Sequence, residues 1–291
     1  MKFWKLPAYQ NPTMLSELKR RAFGVVILLV TLTIIGTAQS TKERFEKVMV
    51  FETKANYITS DYLGFIYLIS DDQISKYDKA GKLIGSFSDK TLGSITSIDA
   101  SNPLRILVFY NDFGKVLFLD DVLGPIGSSI SLESIALDLS VLCCTSNNDG
   151  IWFYDTQGFQ LKRMDRNLQL THASGYINQI TGFDINPNFL IEYNSYIYLN
   201  NPEMGILVFD VYGAYYKTIP IKGLERFQLS GDNIFYFQDS YIKSYNQKTF
   251  EEYNMQIPMD KDTPLSVRYE KQSRILGILK ENKMELYNIQ D

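Results

Sequence analysis

Histidine and cysteine are scarce in this chain of 291 residues, and their scarcity limits the chemistry that the chain can perform. His172 is the only histidine, which excludes a three-histidine zinc or copper site within one subunit. A Ser-His-Asp hydrolase would also need His172, yet residues 170–174 are typical of an outer strand and no Gly-x-Ser-x-Gly motif precedes them. The two cysteines, Cys143 and Cys144, are adjacent and would point to opposite faces of a strand, which favours packing over a redox or metal pair.

Acidic and glycine motifs are equally unpromising for catalysis. Asp71-Asp72 and Asp120-Asp121 are pairs of oxygen ligands, but neither has the alternating spacing of a calcium loop, so we interpret them as turn residues. No glycine-rich nucleotide-binding motif is present. A pair of carboxylates for glycoside hydrolysis is recognised by the distance between the two groups in the folded protein, so the sequence does not exclude one. The sequence therefore predicts no catalytic residue, no cofactor and no metal ion, and it favours binding over catalysis.

Four aromatic residues are the candidates for a binding surface. Trp152 would offer a stacking platform to a sugar or a protein partner, although its apolar neighbours also favour a structural role in a central strand. Tyr212, Tyr215 and Tyr216 surround a turn glycine, and we expect them to be exposed. Tyrosines at such positions are common in protein interfaces.

The composition indicates a folded, sheet-rich protein. Hydrophobic residues make up 45% of the chain, which excludes a disordered protein, and 20 tyrosines and 18 phenylalanines favour sheet. A net charge of −4 argues against a nucleic-acid partner, which would require a concentrated basic surface.

The amino terminus has the three parts of a secretory signal peptide, here assigned to residues 1–38. A basic cluster at residues 19–21 precedes an apolar run at residues 22–35, and Gly36 and Ala38 fit a signal-peptidase site. Met14 is an alternative start that would leave a leader of ordinary length. The apolar run is short for a membrane span, but an uncleaved anchor over residues 22–38 remains an alternative. The Ala-Gln ending resembles signal peptides of Bacteroidota, which implies a periplasmic or secreted protein.

A short repeat predicts the fold. The pattern consists of an apolar residue, two variable residues, a large apolar residue and then Asp or Asn, and its copies start about 40 residues apart. Six copies occur, at residues 74–78, 116–120, 161–165, 206–210, 242–246 and 284–288. A period near 40 that contains only short strands is typical of four-stranded propeller blades. The sequence therefore predicts an all-β chain with a single six-bladed β-propeller over residues 44–291.

The last repeat has too few strands, and residues 45–51 form a spare strand before the first blade. Pairing the spare strand into the last blade would close the ring and remove two exposed sheet edges. The expected blades lie at about residues 55–90, 91–132, 133–174, 175–223, 224–259 and 260–291, the last completed by residues 44–51.

Two segments of the repeat resemble known propeller families. DYLGFIY at residues 61–67 and DGIWFYD at residues 149–155 resemble the recurring phrases of NHL-like and quinoprotein-like propellers. The resemblance implies a fold and not an activity, because propellers have many unrelated functions. Lyases related to the NHL families depend on several histidine metal ligands, which this chain does not have.

Two functions of different classes are consistent with these features. The first is a non-catalytic scaffold of the cell envelope that binds an envelope protein, by analogy with the lipoprotein propeller of the outer-membrane assembly machinery. That analogy suggests a role in outer-membrane biogenesis or secretion. The second is a protein that binds a small ligand or carbohydrate in the central channel, or an enzyme that acts there.

Overall fold

The protein is a six-bladed β-propeller. A computed structural model describes residues 44–290, and the expected signal peptide, with Met14, lies outside the described residues. Twenty-four strands form six antiparallel sheets of four strands each. This arrangement confirms the fold predicted from the repeat.

Each sheet is one blade, and its strands follow the chain outward from the central channel. Around that channel, the first strand of blade three contacts those of blades two and four, and the first strand of blade one contacts that of blade six. The strands of blades one to three are β2 (Tyr57–Ser60), β3 (Ile66–Ser70), β4 (Gln73–Tyr77) and β5 (Leu83–Ser88); β6 (Ser97–Asp99), β7 (Ile106–Tyr110), β8 (Lys115–Leu119) and β9 (Ile130–Ser131); and β10 (Ser140–Ser146), β11 (Gly150–Asp155), β12 (Gln160–Met164) and β13 (Leu170–Ala173). The strands of blades four to six are β14 (Phe189–Tyr193), β15 (Tyr196–Asn201), β16 (Gly205–Asp210) and β17 (Tyr215–Ile219); β18 (Gln228–Ser230), β19 (Asn233–Gln238), β20 (Tyr241–Asn246) and β21 (Glu252–Gln256); and β22 (Ser266–Glu270), β23 (Ile275–Leu279), β24 (Lys283–Gln290) and β1 (Arg44–Glu52).

The first strand of the described chain closes the ring. β1 pairs antiparallel with β24, from Arg44 opposite Gln290 to Glu52 opposite Lys283. It thereby becomes the outermost strand of blade six, as the spare amino-terminal strand predicted. The closure covers an edge of β24 that would otherwise be open to pairing with another chain.

The repeated Asp or Asn forms the turn between the third and fourth strands of a blade. In blade one, Oδ1 of Asp78 accepts hydrogen bonds from the amides of Ala80 and Lys82, both at 2.9 Å. Gly81 takes a φ of +77° in that turn, as its position suggested. The same two-amide arrangement recurs in blades two to four at Asp120, Asp165 and Asp210. In blade five, Asn246 accepts from the amides of Lys248 and Thr249 instead.

The sixth copy differs for a topological reason. Its last residue, Asn288, lies within β24 and begins no turn. No turn to a fourth strand is needed there, because the amino-terminal β1 supplies that strand.

The hydrophobic core consists of six clusters, each formed by residues of two adjacent blades. The second strands β3, β7, β11 and β23 are packed on both faces. For this reason β7 is buried at every position and its sequence ILVFY shows no polar alternation. Full burial of each such side chain stabilises the fold by about 1.5–3 kcal/mol. The core therefore joins the blades to one another.

Few helical segments interrupt the blades. A 3-10 turn (Glu133–Ile135) lies between β9 and β10. The α-helix α1 (Ile177–Thr181) has five residues. Within residues 44–290, no helix has the length and apolar character that crossing a membrane requires.

Candidate functional site

Trp152, the first predicted binding residue, is completely buried in β11. Its indole Nε1 donates a hydrogen bond to Oε2 of Glu192 at 2.9 Å. The ring packs with Cys144 and Leu199 in the cluster between blades three and four. Trp152 therefore has no face exposed for stacking on a ligand, and its contacts assign it a structural role.

The three predicted tyrosines are exposed. Tyr212 lies in the turn between β16 and β17, and Tyr215 and Tyr216 begin β17. Their exposed fractions are 68%, 41% and 60%. Tyr216 packs beside Tyr196, with ring centroids 5.6 Å apart. Tyr212 instead packs beside His172 of blade three, with ring centroids 5.6 Å apart. The three tyrosines therefore share blade four without forming one ring cluster, and their role in binding stays a prediction.

The exposed tyrosines belong to a larger group that we call the aromatic face. In an antiparallel blade, the turns after the first and third strands lie at the same end of the sheet. Six exposed aromatic side chains lie in or beside such turns of blades four and five: Tyr196, Tyr212, Tyr215, Tyr216, Phe250 and Tyr253. They lie at one end of the propeller, away from the connections between blades.

The groups with the greatest chemical reactivity are not gathered into a site. His172 lies on β13, the outermost strand of blade three, and its Nδ1 is 3.0 Å from Oγ1 of Thr171. Cys143 packs in the cluster between blades two and three, and Cys144 in the cluster between blades three and four. Burial raises the pKa of both thiols well above the usual value. Across residues 44–290, no three His, Cys, Asp or Glu side chains are placed to hold a metal ion.

The central channel is lined by the free edges of the six first strands. At every junction between blades, a side chain on or beside one first strand accepts a hydrogen bond from a backbone amide of the neighbouring blade. The acceptors are Ser266, Tyr57, Asp99, Glu192, Tyr193 and Gln228, and the donors are the amides of Ile58, Ile98, Thr145, Asn147, Gly231 and Tyr269. These bonds satisfy edge amides that would otherwise lack a partner, and they tie each blade to the next.

Two arginines project into this channel. Arg268 lies on β22 and Arg226 precedes β18, and both line the same two adjoining cavities. Nε of Arg268 donates to Oγ of Ser60 at 3.0 Å. The Cζ atom of Arg226 lies 4.1 Å from the ring centroid of Tyr57 and 5.6 Å from that of Phe189.

The channel arginines influence one another electrostatically. Burial lowers the pKa of Arg268 to about 10, and the positive charge of Arg226 acts in the same direction, against the opposing effects of Glu270 and Asp99. Burial also raises the pKa of Glu270, which favours its neutral form. The sequence contained no local signal for this pair, because the two arginines come from different blades.

Comparison with known proteins supports the fold alone. No protein-family model and no curated protein matches the sequence. Among solved structures, streptogramin B lyase is 13% identical with a TM-score of 0.56, over 86% of this chain and 99% of that chain. The Neurospora crassa Pan2 WD40 domain is 10% identical with a TM-score of 0.61, over 87% of this chain and 97% of that chain.

A third structure is a catalytically inactive histidine-to-alanine variant of Staphylococcus aureus virginiamycin B lyase with quinupristin. It is 15% identical with a TM-score of 0.53, over 85% of this chain and 89% of that chain. At such identities the likeness shows that this chain has a propeller fold, and it carries no activity across.

Proposed function

We propose that the protein is an exported, non-catalytic scaffold of the cell envelope that binds a protein partner through its aromatic face. One observation carries the proposal: six of the eleven exposed aromatic side chains among residues 44–290 belong to the aromatic face. Tyrosine and phenylalanine supply much of the binding energy in protein interfaces, and contiguous exposed patches of them are uncommon on free surfaces.

The surroundings of the aromatic face suit a protein partner. Tyr196 and Tyr216 line a groove of about 200 Å³ between blades four and five. Lys217, Lys248 and Asp232 lie along the same groove, so charges of both signs border the aromatic rings. An aromatic centre with a polar border is the usual composition of a transient protein interface.

The absence of catalysis is supported by the position of His172. The lone histidine lies on an outermost strand, whereas a catalytic group of a propeller would be expected at the channel. A role in outer-membrane biogenesis or secretion follows only by analogy with other envelope propellers and belongs to this proposal. Export rests on residues 1–38, and amino-terminal sequencing of the protein from the envelope fraction tests it: a mature chain beginning near Gln39 supports cleavage.

Site-specific crosslinking in the native envelope tests the docking surface. A photoreactive amino acid in place of Tyr212 should give a discrete adduct with one envelope protein, because Tyr212 is 68% exposed on the aromatic face. The same probe at Tyr62, which is 55% exposed on blade one, is the matched control. The adduct should disappear when Tyr216→Ser and Phe250→Ser are combined. Equal adducts at both positions, or none at Tyr212, would contradict the proposal.

The second candidate function is the binding of a small ligand in the central channel. A different observation favours it, namely the two arginines Arg226 and Arg268, and it does not depend on the aromatic face.

A further inference from the structure

The central channel contains a space large enough for a small molecule. Its wider cavity has a volume of about 320 Å³ and lies at the end where the blades connect, bordered by Asn56, Arg226 and Pro264. A narrower cavity of about 70 Å³ adjoins it and reaches Ser60 and Ser101. Small-molecule sites usually have volumes of about 300–1,000 Å³, so the wider cavity is at the lower end of that range.

The two channel arginines retain unused hydrogen-bonding capacity. A guanidinium carries five N–H donors. Among residues 44–290, Arg268 donates through Nε to Ser60, and no carboxylate lies within ion-pair distance of Arg268 or Arg226. Two cations in one partly buried cavity, without a paired carboxylate, form a site of concentrated positive charge on a chain whose net charge is −4.

The nearby carboxylates Glu270 and Asp99 offset part of this charge, but neither forms an ion pair with a channel arginine among residues 44–290. Asp99 is fully engaged elsewhere: Oδ2 accepts from the amide and hydroxyl of Thr145 at 2.8 and 2.6 Å, and Oδ1 accepts from the amide of Ser101 at 2.9 Å. Burial raises the pKa of the Glu270 carboxyl, which weakens the preference for its charged form. Glu225, at the opening of the wider cavity, is exposed to solvent.

Aromatic rings hold one guanidinium in place. Arg226 lies over Tyr57, whose hydroxyl in turn accepts the amide of Ile98 at 3.0 Å. Arg226 also hydrogen-bonds the Tyr57 hydroxyl. A guanidinium has five N–H donors, so N–H groups of Arg226 remain for a carboxylate or phosphate. Phe227 and Tyr269 also border the wider cavity, so the cationic end adjoins apolar and aromatic surface.

We propose that the central channel binds a small molecule that carries a carboxylate or phosphate group. Arg226 and Arg268 hold the oxyanion between them, each through paired N–H donors, and the apolar body of the ligand packs beside Tyr57 in the wider cavity. Planar guanidinium groups match both oxyanions, whose oxygens accept two parallel hydrogen bonds. The site is separate from the aromatic face and does not require a protein partner.

Calorimetric titration of the full chain with three related probes tests this site. Phenyl phosphate and phenylacetate share the flat body and differ in the oxyanion, and phenylacetamide is the neutral control, all at one ionic strength. We expect binding of at least one anionic probe and none of the amide. The anionic probe that binds with the higher affinity shows whether phosphate or carboxylate is preferred.

Variants connect the binding to the two arginines. Arg226→Gln and Arg268→Gln should each lower the affinity for the anionic probe by roughly tenfold or more, as expected for loss of a charged hydrogen bond. Arg166→Gln removes an exposed arginine in the turn after β12 and should leave binding unchanged.

A second readout separates a ligand site from a structural contact. Without ligand, Arg268→Gln should melt at the same temperature as the parent or higher, because burial, the largest influence on Arg268, disfavours its charge. If Arg268→Gln does not fold, Arg226→Gln alone decides the question. Failure of both anionic probes to bind, equal binding of the amide, or unchanged binding by Arg226→Gln would overturn the proposal.

Discussion

A buried ion cluster in blade six offers the sharpest test of how the ring is stabilised. Nζ of Lys280 lies 2.8 Å from Oδ2 of Asp260 and 2.9 Å from Oε2 of Glu285. Lys280 is 1% exposed and Glu285 is 2% exposed, so this pair is removed from water. Lys47 of β1 also approaches Glu285, at 3.4 Å, and thereby links the closing strand to the cluster.

We predict that Lys280→Met lowers the free energy of unfolding by about 3 kcal/mol. Breaking a buried ion pair by removing one partner generally costs about 3–5 kcal/mol, because the remaining charge is left uncompensated. The lower end applies here, since Lys47 and Lys283 remain near Oε1 of Glu285 at 3.4 and 3.6 Å. For a domain of this size, about 3 kcal/mol corresponds to a fall of roughly 6–12 °C in Tm.

Urea and thermal unfolding followed by circular dichroism measure this change. The double variant Lys280→Met with Glu285→Gln should recover more than half of the loss, because it no longer leaves a buried carboxylate unpaired. Lys248→Met is the matched control: its partner Asp232 lies at a similar distance, 2.9 Å, but both side chains are exposed. The free energy of unfolding of that variant should fall by less than about 1 kcal/mol. The reasoning fails if Lys280→Met costs no more than the control, or if the double variant is no better than the single one.

Three further outcomes follow from buried groups. Burial alone would raise the pKa of Glu285, but hydrogen bonds from Lys280 and a neighbouring tyrosine lower it. The stability that the Glu285 carboxylate adds is therefore present above about pH 4.3 and is lost as the pH falls through the lowered pKa. Urea midpoints across pH 3–7 should therefore vary less for Glu285→Gln than for the parent, and an unchanged profile would contradict this. Trp152→Phe should cost about 2 kcal/mol in urea unfolding, because it leaves a cavity and removes the indole donor of a buried carboxylate, whereas a loss under about 0.5 kcal/mol would refute that role. Cys143 and Cys144 should resist a thiol reagent in the native protein and react together on unfolding, and fast native reaction would show that β10 opens.

Much of the architecture was predictable because each blade repeats a local solution to the same problem. The third strand ends at a residue such as Asp78 or Asp210, whose carboxylate accepts two backbone amides and starts the turn. A local interaction of this kind leaves a mark in the sequence at every repeat. Ring closure was predictable for a related reason, since a spare strand at one end matched a missing strand at the other.

The channel could not be predicted in the same way. The first strands β6 and β18 have three residues each, too few for a periodic pattern. Arg226 and Arg268 come from neighbouring blades and meet only because the ring curves. Trp152 shows the converse limit: its residue type suggested a binding platform, but a strand packed on both faces exposes neither side of the ring.

The topology places the aromatic face and the opening of the wider channel cavity at opposite ends of the ring. Arg226 lies on a connection between blades, whereas Tyr212 and Phe250 lie in turns after third strands, which occur at the other end of each sheet. Strands of five to six residues separate the ends by roughly 17–20 Å. Since hydrogen bonds tie every first strand to its neighbour, we expect the ring to bind at one end without adjusting at the other. Substituting Tyr212 and Phe250 by serine should therefore leave the affinity for phenyl phosphate unchanged, and a shift of more than about threefold, roughly 0.65 kcal/mol, would show that the blades move on binding.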